Sequence, residues 1–277
     1  MKTETKKIKI CIETEQKTKN GKTTSDVLQS IEEFDEQGRT LRHIFFDNGK
    51  IESLSISSYT KTASGIRGLE QKYNREGKIT DVVKSRYDEK GRPFLERFWQ
   101  NDIPTYRNIY HYDALGKLIE MAHFAYDGGE ECTLRAKQTY TYNKKNRLTQ
   151  EIWQHFDEKN PFKVCWDYEY DARGNKIRRF ENGELHAESR FNEKNQETKE
   201  IGFSTSKQRR IVCYSTYNNQ GKEISKRFIH FVENKKMREV IIFFRYDDYG
   251  NVVETKTKKW NEKRTEVEVR NFIYGYW

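Results

Sequence analysis

Proline is scarce in this chain: Pro93, Pro104 and Pro161 are the only ones in 277 residues, and no cluster of them marks a flexible linker. With no clean boundary in composition, the expectation is a single domain over residues 1–277. The four cysteines, Cys11, Cys132, Cys165 and Cys213, are widely spaced and form no CxxC pair. That spacing argues against a zinc site or a disulfide framework, so they read as reduced, mostly buried small hydrophobes. No apolar run reaches the length of a secretory signal or a membrane span. A cytoplasmic protein that does not insert into membranes is expected, with signal-independent export or a trimmed leader left open. HExxH, GxSxG, a Walker loop and a strand-linked GxGxxG are all missing. The six histidines fall on different predicted hairpins. Strand pairing could join His111 and His123 beside Asp113, but a β-surface role is the simpler reading. The expectation is a non-enzyme with no cofactor and no metal.

Aliphatic residues are few as well. Hydrophobic residues make up 34% of the chain and mean hydropathy is −1.07, values that would ordinarily favour disorder. The 14% aromatic content argues the other way, because each ring buries a large area. A folded protein with a thin, ring-rich core follows. The formal net charge of +9 and pI near 9.1 favour acidic partners, nucleic acid included. Yet 52 basic and 43 acidic residues are interspersed with no long block of one sign, which also suits a solvated mixed-charge surface.

What the chain has in abundance is one recurring string: an aromatic, Asp or Asn, two further residues, Gly or Asn, then usually a polar residue. Its nine copies begin at Phe34, Tyr73, Tyr87, Tyr112, Tyr142, Tyr170, Phe191, Tyr217 and Tyr246. The turn positions are Asp35 and Gly38, Asn74 and Gly77, Asp88 and Gly91, Asp113 and Gly116, and Asn143 and Asn146. They continue with Asp171 and Gly174, Asn192 and Asn195, Asn218 and Gly221, and Asp247 and Gly250. Asp or Asn at the first turn position can accept backbone N–H bonds. Gly at the fourth supplies the positive φ of a bulged type I turn, a conformation Asn also tolerates. Each copy therefore closes a hairpin.

The incoming strands alternate in phase with the aromatic. One face collects Tyr106, Tyr110 and Tyr112; another collects Val164, Trp166, Tyr168 and Tyr170. The run from Val240 to Tyr246 is apolar on both faces until Arg245, which predicts a central strand covered on both sides. Between copies lie looser return turns, at Phe46–Gly49, Gln100–Pro104, Tyr126–Gly129, Glu181–Gly183 and Glu233–Asn234. Intervals range from 14 residues (Tyr73 to Tyr87) to 39 (Phe34 to Tyr73), mostly in the twenties. Each holds two strands and a return turn, so the fold expected is an all-β antiparallel hairpin array. It should be an extended or curled open meander of roughly eighteen to twenty strands with ragged return loops. Residues 1–30 read as a capping hairpin around Lys19–Lys22, 31–255 as the repeats, and 256–277 as a cap with an aromatic tail.

The nine strings resemble the YD repeats of Rhs-type bacterial polymorphic-toxin proteins over roughly residues 30 to 255. The resemblance implies β-hairpins winding into a curved sheet, which in long arrays closes into a shell around a toxic C-terminal domain. This chain departs from that pattern. It is much shorter than shell-forming arrays, it has no Asp-Pro pair of the kind that marks the family's self-cleaving segment, and with its last repeat close to residue 277 no following toxin domain is expected. A short, repeat-only member is implied.

Three uses follow. The first is a non-enzymatic protein-interaction module, an accessory, immunity or orphan repeat protein of a toxin or secretion system. The second is carbohydrate or surface-polymer binding through rings beside Lys and Arg, with Trp99, Tyr106, Tyr110, Trp153, Trp166 and Tyr168 as the candidate ligand-binding set. The third is nucleic-acid binding through the positive charge. The same rings also serve as the core of a fold poor in aliphatics.

Overall fold

The computed structural model describes residues 8–19, 22–23, 26–63, 65–128, 131–157, 159–204, 208–261 and 264–276. Twenty-one strands run through them: β1 (Ile8–Lys19), β2 (Lys22–Thr23), β3 (Val27–Phe34), β4 (Thr40–Asp47), β5 (Lys50–Thr62), β6 (Gly65–Asn74) and β7 (Ile79–Tyr87). Next come β8 (Pro93–Gln100), β9 (Ile103–Tyr112), β10 (Leu118–Tyr126), β11 (Cys132–Tyr142), β12 (Leu148–His155), β13 (Phe162–Tyr170) and β14 (Lys176–Glu181). The last are β15 (Glu184–Phe191), β16 (Glu197–Phe203), β17 (Arg209–Tyr217), β18 (Glu223–Val232), β19 (Lys235–Tyr246), β20 (Val252–Asn261) and β21 (Arg264–Tyr276). The protein is the all-β antiparallel hairpin array its repeats predict.

Every repeat turn has the same hydrogen bonding. At Asp35, the backbone N–H donates to the carbonyl of Arg39 and the carbonyl accepts from Gly38, both at 2.9 Å; this pair recurs at all nine copies within 2.9 to 3.1 Å. The carboxylate Oδ1 of Asp35 accepts from the N–H groups of Gln37 and Arg39. The fourth turn residue has φ between 60° (Asn195) and 98° (Gly174) throughout. Local chemistry alone thus specifies each turn. At Asp88 the backbone and side chain of Arg92 hold the carboxyl below its usual range.

A second bond joins several repeats to the one before. The hydroxyl of the pre-turn tyrosine donates to the carbonyl that opens the outgoing strand of the preceding repeat. Tyr112 reaches Pro93 (2.7 Å), Tyr142 reaches Leu118 (2.9 Å), Tyr217 reaches Glu197 (2.7 Å) and Tyr246 reaches Glu223 (2.7 Å). Tyr274, which belongs to no predicted repeat, makes the same bond to Val252 (2.8 Å). The residue after the turn completes the latch: Arg92, Lys117 and Lys222 lie over the rings of Tyr112, Tyr142 and Tyr246 at 4.6, 4.8 and 5.2 Å.

The chain groups into two compact units. One contains Met1–Arg39, Phe46–Lys50 and Tyr168–Trp277; the other contains Thr40–Phe45 and Ile51–Asp167. In the second unit, β5 to β13 pair in sequence order as a meander. In the first, β14 to β21 do the same. There β1 enters between β21 and β3, with Cys11 opposite both Tyr274 and Glu32. The expectation of open ends is corrected: β1 and β21 zip together, and the tail expected to act as a cap or plug is a full strand. Asn20, Gly21 and Trp277 of those predicted end segments lie outside the described residues.

Two further expectations change. The return turns are not uniformly ragged. Asn48 and Gly49, Asn101 and Asp102, Asn182 and Gly183, and Glu233 and Asn234 each pair two positive φ values, giving tight two-residue turns whose twist matches the flanking strands. Gly129, in the fifth predicted return turn, lies outside the described residues. And β19, although central between β18 and β20, is not covered on both sides. Phe243 is 40% exposed, opposite Lys256 and with the Lys258 ammonium 5.7 Å from its ring. Lysine stems supply the cover there in place of a second layer.

The core is correspondingly thin. Among the described residues Ala122, Ala187, Val212 and Cys213 are the buried hydrophobics, and no large side chain is completely buried. Rings and aliphatics are mostly half-buried, so stability is spread along the strand ladders and the latches.

Candidate binding faces

Strand alternation decides which of the candidate rings can act together. Phe98 sits directly opposite Tyr106, so Tyr106 and Tyr110 share one face of β9 while Trp99 points to the other. Tyr110 lies opposite Met121, Met121 opposite Gln138 and Gln138 opposite Trp153; Trp166 lies opposite Glu151 on the same face. Four of the six candidates, Tyr106, Tyr110, Trp153 and Trp166, therefore share a face across β9 to β13. Tyr168 belongs to the other unit, with the Lys176 ammonium 4.0 Å from its ring.

The four are not equally available. Tyr106 stacks on Phe98 at 4.0 Å and tilts against His123 at 5.0 Å. Tyr110 donates its hydroxyl to Glu96 (2.5 Å); burial and that carboxylate both push the phenol up, so it remains a donor. Trp153 meets Phe162 edge-on at 5.4 Å, and each stays 41% exposed. It is the ring best presented to a ligand.

The histidine pairing that the sequence left possible does not form. His111 and His123 occupy opposite faces, His111 near Glu120 and His123 bonded through Nδ1 to Asn108 Oδ1 at 2.8 Å. Burial lowers the His123 pKa, which keeps the ring neutral. Among the described residues no group of three or more His, Cys, Asp or Glu is placed to hold a metal. Burial pushes the thiols of Cys11 and Cys213 up to about 11, leaving them protonated and poor nucleophiles at neutral pH.

The face opposite Tyr106 holds a feature that scanning for blocks of charge missed. Between β5 and β8 lies a groove of about 390 Å³ whose charged lining is entirely basic: Arg67, Lys84, Arg86 and Arg97. Ser58 and Thr60 add hydroxyls, and the Lys84 ammonium covers the Trp99 ring at 4.7 Å. The acidic residues of these strands, Glu70, Asp81 and Glu96, alternate onto the other face. Interspersed charge in the sequence has become sorted charge in space. The signal was there in period 2, with Lys84 and Arg86 flanking Ser85, and Arg97 following Glu96. A second groove, of about 560 Å³ in the other unit, mixes Arg179, Arg209 and Arg210 with Glu200, His186 and His230 and has no such purity of sign.

A model of a family described as "Uncharacterised protein" matches residues 14–130. No curated protein matches the chain. Among solved structures, the crystal structure of TcdB2-TccC3-TEV is similar over 91% of this chain at 14% identity and a TM-score of 0.53. That of TcdB2-TccC3-Cdc42 is similar over 95% at 14% identity and a TM-score of 0.54. The chain spans 14% of the length of each. At this identity the likeness is one of fold, an antiparallel all-β architecture.

Proposed function

We propose that the chain is a non-enzymatic binding module of a bacterial toxin or secretion system, an accessory, immunity or orphan repeat protein whose target is another protein. The observation that carries this reading is the half-solvated state of its strand faces. Backbone groups are used in ladders, while large apolar side chains such as Trp153, Phe162 and Phe243 remain about two-fifths exposed on the strands. A partner would be held by side chains on a face, with the regular turns fixing their spacing. The fold likeness to toxin repeat proteins supports the setting. Affinity capture from the native host with Trp153→Ser/Phe162→Ser beside wild type tests it. The expected outcome is a specific protein partner lost in the variant at unchanged circular dichroism. Failure to recover any partner with the wild-type chain, or recovery of the same proteins with both, would sink it.

Carbohydrate is the second reading, favoured by the exposed indole of Trp153. It predicts that neutral oligosaccharides quench tryptophan fluorescence in wild type and not in Trp153→Ala. Nucleic acid draws less support. Single-strand binding relies on rings interleaved with cations on one surface, whereas here the shared rings lie on β9 to β13 and the basic groove lies on the other face, between β5 and β8, where Lys84 already covers Trp99.

A further inference from the structure

The basic groove contains an arrangement that strand pairing would avoid. Arg67 is directly opposite Arg86; Lys84 is directly opposite Arg97, and Arg97 directly opposite Arg107. Like charges facing each other across a ladder destabilise it. Yet Arg67, Lys84, Arg86 and Arg97 form no ion pair with any carboxylate among the described residues, and all four are exposed. Arg107 lies over Phe124 at 4.8 Å with its Nε buried and without a hydrogen-bond partner. Two parallel rows of cations line the groove, Arg67 with Arg86 and Lys84 with Arg97, the second continued beyond it by Arg107, with Ser58 and Thr60 hydroxyls at their end and Leu69 and Leu95 among them.

We infer that this groove binds an acidic, extended segment of a partner protein, with carboxylates at alternate positions set against the two rows. The inference rests on the interaction-module reading above and names the chemistry of its partner. Residues two apart on an extended segment are about 6.7 Å apart, the same separation as that of the two rows, which are two residues apart along each strand. Guanidinium forks suit carboxylates, and the leucines suit apolar residues interleaved with them. The groove has no uncovered ring for a base to stack on, which favours a polypeptide over a nucleic acid.

Fluorescence anisotropy with the full chain tests this at low salt. The probes are a labelled peptide alternating Glu and Thr, its Gln counterpart, and oligo-thymidylate of equal charge. The Glu peptide should bind, more weakly as salt rises, and the Gln peptide should not. Arg97→Glu should weaken the Glu peptide about tenfold or more and at the same time raise the thermal midpoint, because it converts two repulsive pairs into attractive ones. Lys72→Glu, on the opposite face, should leave affinity unchanged. Tighter binding of oligo-thymidylate than of the Glu peptide, unchanged affinity in Arg97→Glu, or a lowered midpoint in that variant would each overturn the inference. A native partner whose capture survives Arg97→Glu would remove the groove while leaving the module reading intact; a chain with no native partner would remove that reading instead.

Discussion

A single backbone angle decides each repeat turn. A β-carbon built on Gly77 meets nothing within 4 Å, so the residue is required for its φ of 76° and not for space. Asn146 and Asn195 meet the same demand at 64° and 60°. Gly77→Asn should therefore shift stability by no more than about 1 kcal/mol, whereas Gly77→Val, forced into the left-handed region, should cost about 1–3 kcal/mol. Urea denaturation of both variants checks this, and a Val variant as stable as wild type would contradict the turn geometry. The pre-turn hydroxyl makes a second demand. Tyr142→Phe keeps the ring under Lys117 and removes only the bond to the Leu118 carbonyl. A loss of about 0.5–1.5 kcal/mol is expected in the same assay. Phe34 and Phe191 show that the array tolerates a repeat without the hydroxyl.

Strands and their registers separate what was legible from what was not. The nine turns were readable because each is fixed by five consecutive residues, from Asp35 to Arg39 in the first copy. The tyrosine latches were not, because Tyr142 finds Leu118 through a neighbouring hairpin 24 residues away. Face assignment within a strand was readable too, and Tyr106 and Tyr110 do share a side. Whether Trp99 joins them depends on the pairing of β8 with β9, which no local pattern states. Charge behaved likewise. Glu96 and Arg97 look like neutralising neighbours in sequence and lie on opposite faces. Opposite signs do meet on β20, β21 and β1. Arg270 contacts Glu268 (2.9 Å), Glu13 (2.9 Å) and Glu15 (3.2 Å), Lys259 contacts Glu268 (2.9 Å), and Lys17 contacts Glu15 (2.6 Å). Burial works to raise the Glu268 carboxyl, but hydrogen bonds from Lys259 and Arg270 outweigh it and hold the group at about 2, against an ordinary 4.5. A depressed folded pKa contributes stability in full above the unfolded value and loses it as pH falls toward the folded one. Wild type should lose stability between about pH 4.5 and 2, and Glu268→Gln should lose less over that window while starting lower at pH 7. Depressed carboxyls elsewhere, Asp35 and Asp88 among them, act equally in both proteins, so the difference between the two thermal-midpoint curves isolates Glu268. Parallel curves would contradict the assignment.

At the scale of the molecule, most pairing among the described residues is between sequence neighbours, and the longest-range pairing is that of β1 with β21. Glu13 and Arg270 meet 257 residues apart in the chain, and the ladder runs from Ile8 opposite Tyr276 to Lys19 opposite Glu266. A hairpin meander built of local steps should form readily, whereas this closure must wait for both strands. Its removal should matter more for association than for folding. Deleting residues 264–277 would take the partner from one side of both β1 and β20 and the latch of Tyr274 from Val252. Two long unpaired edges would face solvent, an invitation to pair with other chains. The truncated chain should keep its β-sheet circular dichroism and its repeat turns. It should also show a mass that rises with concentration in light scattering, while the full chain holds constant. Substituting Ile273→Lys in the intact chain is the counter-test. Ile273 is 61% exposed, so the change alters surface charge without opening the ladder and should leave the mass as it was. A truncated chain that stayed at constant mass would show that β1 and β20 are shielded by something other than β21.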